Sequence, residues 1–242
     1  MHSGRSAAWY STQAITSAHG REVRRLNRAE PEVRSSELLS RRAMNMVRGQ
    51  MAHDPFTIFH RWFKQAQRAG VPLVESMALA TADAVGRPSV RLMLLKQADE
   101  NGFVFFTHAS SRKGQELSAN PRAAGAFYWD ATGKQVRFEG RIEEVSAAEA
   151  DEYWSTRPRS SQLGAWASEQ DAPLASRKVL IARWKAMRKK YQGRPVPRPE
   201  GWNGYRVIPE TIEFWTRRSA RLHERELFRR TRTGWKRQLL QP

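Results

Sequence analysis

Three short stretches concentrate cations and hydroxyls where structural elements should end: Arg91 to Lys96, Ser110-Ser111-Arg112-Lys113, and Arg157-Pro158-Arg159-Ser160-Ser161-Gln162. Arg offers a planar fork of donors, Lys a point charge and Ser a hydroxyl, and a helix starting at Arg112 would add free backbone N–H groups. Each stretch can hold a phosphate; each taken singly is also an ordinary solvated surface. A fourth feature pairs Ile212-Glu213-Phe214-Trp215 with Arg221-Leu222-His223-Glu224-Arg225. It reads equally as an aromatic-walled anion site or as a β-turn with surface charges.

Other chemistries are poorly supported. The chain has no Cys, which removes disulfides, thiolate metal sites and cysteine nucleophiles. Its six His, at positions 2, 19, 53, 60, 108 and 223, share no ligand spacing with one another or with a carboxylate cluster, so no metal site is expected. Glu143-Glu144 and Asp151-Glu152 are adjacent carboxylates on predicted surfaces, not an acid–base pair. No Walker or dinucleotide-type glycine loop is present. Three cationic stretches without a thiol or metal ligand point to an enzyme for phosphorylated ligands.

The elements that must position these residues follow from periodicity. Asp54 and Pro55 start a helix whose Phe56, Phe59, Trp62, Phe63 and Ala66 recur at helical spacing before Gly70. Beyond it the period falls to two. Strands are predicted over Ser76–Thr81, Ser89–Lys96, Phe103–Thr107, Ala123–Trp129 and Gln135–Val145, with turns at 86–88, 101–102 and 130–133. Helices are predicted over Ser110–Asn120, Ala147–Ser155 and Leu174–Tyr191, and a proline-rich loop over Gly193–Gly201. Short strands at Tyr205–Ile208, Ile212–Trp215, Leu227–Arg230 and Trp235–Leu239 complete the chain. In Gln135–Val145, Val136, Phe138, Gly140 and Ile142 alternate with polar residues, as in an antiparallel strand with one face in a core. The expected architecture is mainly β: an antiparallel barrel with helices packed outside. Arg91 and Lys96 have opposite parity, so either a bulge intervenes between them or the sites of two subunits share the strand.

The chain has 242 residues, 40% of them hydrophobic and 27% charged, with nine Trp and ten Phe, enough for one sizeable core. Lys and Arg number 42 against 24 Asp and Glu, a net charge of +18 that attracts anions. Residues 1–50 hold nine Arg and four Glu, a net of +5, with almost no apolar periodicity. They read as a flexible basic extension ahead of a domain over 51–242, either a bland upstream extension or, more remotely, a transit-like segment. The N-terminus lacks the apolar stretch of a secretory signal, and no run reaches the ~18 apolar residues of a spanning helix. A cytoplasmic protein is expected; nucleic acid, an acidic membrane surface and phosphorylated small molecules all suit its charge.

Several motifs together resemble the pyridoxine/pyridoxamine 5′-phosphate oxidases: Arg91-Leu-Met-Leu-Leu-Lys96, Ser111-Arg112-Lys113, Gln135, Arg157-Pro-Arg-Ser-Ser-Gln-Leu-Gly-Ala-Trp166, Gly204-Tyr-Arg-Val207, Ile212-Glu-Phe-Trp215 and Arg221-Leu-His-Glu-Arg225. The resemblance runs from about Asp54 to Pro242. It implies an FMN-binding split barrel acting as a homodimer, with FMN between the subunits, and it alone narrows the partners to small phosphorylated molecules, without membrane or nucleic acid. The implied reaction is oxidation of pyridoxine or pyridoxamine 5′-phosphate to pyridoxal 5′-phosphate, with O2 reduced to H2O2. The implied FMN contacts are Arg91, Leu92, Met93, Leu94, Leu95, Lys96, Phe106, Thr107, Arg112, Lys113, Gln135, Gln170, Asp171, Trp215 and Arg225. The implied substrate contacts are Lys96, Tyr153, Arg157, Ser161, Arg221, Leu222 and His223, with Arg221 and His223 over the reacting pyridine in the catalytic role of orienting and polarising it. Phe106 stands where the family usually has Tyr and Glu224 where it has Asp, and the family's N-terminal Arg-x-x-Tyr lid motif has no counterpart before Asp54.

Two rivals remain. A phenazine-biosynthesis type of flavin oxidase shares the Ser-Arg-Lys-Gly and Arg-Leu-His-Glu-Arg motifs and the Trp235-Lys236 to Pro242 ending; Lys96 and the Arg157–Trp166 run argue against it. A basic nucleic-acid-binding protein would use the extension and exposed Arg residues.

Overall fold

The computed structural model describes residues 54–242; the extension expected over 1–50 and the first residues of the 51–242 domain lie outside the described residues. Among the described residues the first helix, α1 (Pro55–Arg68), starts where the sequence says it should. The Asp54 carboxylate accepts the Thr57 N–H at 2.7 Å and Pro55 occupies the first turn, where its missing N–H costs nothing. Gly70, at φ +72°, turns the chain away after the helix. The buried face of α1 carries Phe56, Ile58, Phe59, Trp62 and Ala66. Phe59 packs on Phe103 and Phe127, with ring centroids 5.1 and 5.4 Å away, and Trp62 meets Phe214 edge-on at 5.1 Å.

These rings belong to a nine-stranded sheet made of β1 (Ser76–Ala82), β2 (Pro88–Leu94), β3 (Gln97–Asp99), β4 (Gly102–His108), β5 (Arg122–Trp129), β6 (Lys134–Glu144), β7 (Trp202–Thr216), β8 (Glu224–Thr231) and β9 (Gly234–Leu240). The main path runs β2-β1-β5-β6-β7-β4-β3, with β8 on β7 and β9 on β8, and each of these pairings is antiparallel. The two ends of that path, β2 and β3, are neighbours in sequence. The Leu95 N–H bonds back to Glu75 O at 2.9 Å, while the Lys96 N–H bonds forward to Val104 O at 2.8 Å. Two consecutive residues therefore join the sheet's opposite edges and curl it into the expected barrel. Inside lie Met77, Leu79, Phe103, Phe105, Phe127, Val136, Phe138, Val207, Ile212 and Phe214, all buried.

Four more α-helices among the described residues flank the barrel: α2 (Arg112–Ala119), α3 (Ala147–Thr156), α4 (Arg159–Ala167) and α5 (Arg177–Lys190). Ser111, Ser146 and Ser176 cap α2, α3 and α5 through their hydroxyls. Trp154, Leu163, Tyr191, Val196 and Trp202 form a second buried cluster beneath the helices.

Three expectations need correction. The strand predicted over Ser89–Lys96 ends at Leu94, because the chain changes pairing partner at Leu95 and Lys96. The strands predicted at Tyr205–Ile208 and Ile212–Trp215 are one, β7, since Pro209 and Glu210 sit in a bulge instead of ending the ladder: Gly140 pairs with Pro209 and Glu139 with Thr211. A Cβ on Gly140 would stand 2.0 Å from Ile208 O, so only glycine permits that approach. Finally, α5 begins at Arg177 and not at Leu174. The basic cluster Arg157–Gln162, for which the sequence predicts no element, runs into a helix, α4, that starts at Arg159.

Candidate functional site

The C-terminal end of β4 separates two groups of cations. Phe106 and Thr107 are consecutive on this strand, so their side chains leave on opposite faces. Thr107 faces the first group. Its hydroxyl donates to Gln170 Oε1 at 3.1 Å and receives a hydrogen bond from Lys113 Nζ at 3.3 Å. Lys113 is buried, and burial holds its pKa below the ordinary lysine value even though Asp171, 3.6 Å away, opposes the shift. Asp171 also accepts the Arg112 backbone N–H at 2.9 Å, which places a carboxylate at the N-terminus of α2. It adopts φ +68°, a left-handed conformation unusual for a non-glycine residue.

Arg91 completes this group from β2. Strand β2 alternates, so Ser89, Arg91 and Met93 turn inward while Val90, Leu92 and Leu94 stand exposed. The Arg91 guanidinium donates to Thr81 Oγ1 at 2.5 Å, Ser89 Oγ at 2.5 Å and Leu79 O at 3.2 Å, and it is paired with Glu116 at 3.2 Å. Arg112, in the first turn of α2, donates its Nε to the same Glu116 at 2.8 Å. Burial opposes ionisation of Glu116, but hydrogen bonds from Ser89, Thr81, Arg112 and Arg91 outweigh it and hold the carboxyl at about 2. Sequence reasoning passed over Glu116; its i,i+4 spacing from Arg112 was the available signal.

Phe106 faces the second group. Its ring stacks on Tyr153 at 4.1 Å and on Trp202 at 5.2 Å, and the Arg157 guanidinium lies over Trp202 at 4.5 Å. Lys96 Nζ stands 6.0 Å from the Tyr153 ring. Burial lowers the pKa values of both Lys96 and Arg157, and for Lys96 the Arg157 charge lowers it further. Ser161 lies in the first turn of α4, just beyond the α3–α4 junction that carries Arg157. Between the two groups sits His108, at the end of β4, with Nε2 buried and without a hydrogen-bond partner. Its pKa is lowered first by burial and then by the charges of Arg157 and Lys113.

The remaining expected residues form a separate row on the outer face of the barrel. In register across three strands, Gln135 pairs with Trp215 and Trp215 with Arg225. Arg225 donates to both oxygens of buried Glu213, at 2.7 and 3.1 Å, and Arg137 donates to Glu213 at 2.9 Å. Glu213 was visible in sequence only as part of the Ile212–Trp215 motif, and nothing there marked it as buried. His223 leans on Trp215, ring centroids 4.5 Å apart, and its Nδ1 accepts the Arg218 N–H at 3.2 Å, leaving Nε2 for another partner. The turn before it is strained: Ala220 and Arg221 both have left-handed backbones, at φ +52° and +58°. Leu222 is exposed.

The structure thus brings Arg91, Thr107, Arg112, Lys113, Gln170 and Asp171 together, and Lys96, Phe106, Tyr153 and Arg157 together. Among the described residues no hydrogen bond or ion pair ties either group to the Gln135–Trp215–Arg225 row. Among the described residues no three His, Asp or Glu could hold a metal ion, and no helix is long and apolar enough to cross a membrane.

An antiparallel split barrel flanked by helices, with two cationic centres at one strand end, defines the class: an FMN-binding split-barrel oxidoreductase. The chain belongs to the pyridoxamine 5′-phosphate oxidase family, whose profile matches residues 63–191, with residues 202–242 matching the pyridoxine 5′-phosphate oxidase C-terminal dimerisation region. It is 52% identical over 189 residues to the pyridoxine/pyridoxamine 5′-phosphate oxidase of Rubrobacter xylanophilus, covering 78% of this chain and 87% of the relative. It is 52% identical over 187 residues to the enzyme of that name from Burkholderia orbicola, covering 76% and 87%. Among solved structures it resembles PhzG from Burkholderia lata 383, crystallised with tetrahydrophenazine-1-carboxylic acid, with TM-score 0.75 and 36% identity over 78% of this chain and 93% of that one. A related FMN-binding protein from Nostoc punctiforme matches in fold, with TM-score 0.63 and 18% identity over 79% and 100%. Family membership makes FMN the cofactor, and the donor set fits it: buried Lys113, with Arg91 and the unspent Nη groups of Arg112, suits a phosphate monoester.

Proposed function

We propose that the chain oxidises pyridoxine 5′-phosphate and pyridoxamine 5′-phosphate to pyridoxal 5′-phosphate, with O2 as electron acceptor and H2O2 as product, the amine substrate also consuming water and releasing ammonia. The observation that carries this reading is the pair of cationic centres on opposite faces of the β4 end. A flavin phosphate and a substrate phosphate need two such centres, held apart yet close to one another. Arg91, Arg112 and Lys113 would bind the FMN phosphate, with Thr107, Gln170 and Asp171 as neighbours and the Leu92–Leu95 backbone and Phe106 alongside the cofactor. Gln135, Trp215 and Arg225 would reach the flavin of the partner subunit, a reading supported by the lack of any hydrogen bond, among the described residues, from this row to either cationic group of its own chain.

Lys96, Tyr153, Arg157 and Ser161 would hold the substrate phosphate, and Arg221, Leu222 and His223 would cover the pyridine. When bound, FMN would supply the redox chemistry, as hydride acceptor for C4′ and electron donor to O2. The protein's own residues position and exclude water. Stacked Phe106, Tyr153 and Trp202 keep the Arg157 guanidinium partly dry, where its charge acts at lower dielectric. His223 keeps Nε2 available as a polar contact because Nδ1 is engaged by Arg218.

A second reading, a phenazine-type oxidase, is favoured by the likeness to PhzG. One experiment separates them: O2 consumption by the FMN-loaded protein with both phosphate substrates and with tetrahydrophenazine-1-carboxylic acid. Turnover of the phosphates with formation of pyridoxal 5′-phosphate is expected. Turnover of the phenazine precursor alone would reverse the assignment.

A further inference from the structure

Arg91 and Arg112 belong to different elements, β2 and the first turn of α2, yet both guanidinium groups are tied to one carboxylate. Glu116 Oε2 accepts Ser89 Oγ at 2.6 Å and Arg91 Nη2 at 3.2 Å, and it is also bonded by the Thr81 hydroxyl. Glu116 Oε1 accepts Arg112 Nε at 2.8 Å. The carboxylate therefore links β1, β2 and α2, and its side chain is only 6% exposed. Arg112 is 65% exposed, and spending Nε on Glu116 leaves its two Nη groups without a partner among the described residues. Arg91 is fixed on its other side by Thr81 and the Leu79 carbonyl.

A buried negative charge behind a cationic site has two opposing effects. It reduces the net attraction for an incoming phosphate, and it holds two mutually repelling guanidinium groups in one arrangement, so that no ordering is required when the phosphate arrives. The geometry favours the second effect. Guanidinium and carboxylate already meet through directed hydrogen bonds, and the unspent Arg112 donors lie on the exposed side.

We propose that Glu116 is a positioning residue of the cofactor-phosphate site, a carboxylate buried behind Arg91 and Arg112 that sets the aim of both. This rests on the reading that these cations bind the FMN phosphate. The substitution Glu116→Gln keeps the size but replaces one acceptor oxygen by a donor that faces an arginine.

The test titrates apo-protein with FMN and with riboflavin, which lacks the phosphate, following flavin fluorescence; unfolding temperatures are recorded alongside. For Glu116→Gln, FMN affinity is expected to fall at least tenfold while riboflavin affinity stays within twofold of wild type. Unchanged or tighter FMN binding would overturn the proposal, because the carboxylate would then merely repel the ligand. Equal losses for both flavins would overturn it too, since the effect would be general loosening. If Glu116→Gln does not fold, Ser89→Ala removes one donor to the carboxylate and retains the charge; a phosphate-dependent loss of about threefold is then expected, and none would refute the idea. Wild-type protein that binds no FMN would instead bring down the underlying cofactor reading, and the proposal with it.

Discussion

At the scale of single residues, the two cationic centres should separate cleanly by mutation. Arg157→Ala is expected to raise KM for the phosphate substrates by roughly 10- to 100-fold, the loss of a charge-assisted contact of about 1.5–3 kcal/mol, and to leave FMN affinity nearly unchanged. Lys113→Ala should do the reverse. Steady-state kinetics with saturating FMN, together with FMN titration, check both; equal FMN loss with equal KM would show one site instead of two. Glu116 also makes stability depend on pH. Its carboxyl lies at about 2 in the folded protein against an ordinary 4.5, so its contribution is present above 4.5 and is lost as pH falls toward 2. In acid-denaturation profiles, Glu116→Gln should flatten the part of the curve between those values. An identical slope in both proteins would show that some other carboxylate governs that window.

At the scale of elements, the barrel depends on β6 and β7 staying paired through the bulge at Pro209 and Glu210. Gly140→Ala pushes a methyl group into the Ile208 carbonyl, and a loss of about 2 kcal/mol or more is expected in urea denaturation. Phe59→Ala should cost about 3–5 kcal/mol by emptying the contact of α1 with Phe103 and Phe127. The sequence made α1 and the alternating strands legible because each buries one face, and burial imposes a period of 3.6 or 2 that can be read directly. It hid what depends on distant partners. Pro209 looks like a strand end and becomes a bulge because Gly140 lies opposite it. Lys96 looks like the last residue of a strand and instead leaves it, because β4 offers a second partner. The motif-bearing candidate residues could be named through family resemblance. Glu116 and Glu213 were not, because their roles come from burial beside arginines that lie far away in sequence or on another strand.

At the scale of the whole molecule, the described residues contain the barrel core, both cationic centres and the dimerisation region. A chain beginning at Met51 is therefore expected to fold and bind FMN. Its turnover should stay within about threefold of the full chain, ~0.65 kcal/mol in transition-state terms. The comparison belongs at matched salt, since the +5 segment could also gather anionic substrate. A tenfold loss that persists at high salt would show that residues 1–50 take part in closing the site. The joint at Leu95 and Lys96 carries one more implication. A barrel stitched shut by two successive amides has a seam, and the same lysine that finishes the stitch carries its ammonium group to the second cationic centre, beside the Tyr153 ring. If Lys96 holds the substrate phosphate as proposed, one residue serves both the ligand and the closure of the cylinder, so a bound phosphate should act as a clasp, slowing solvent exchange at the Leu95 and Lys96 amides more than anywhere else along β1 or β4.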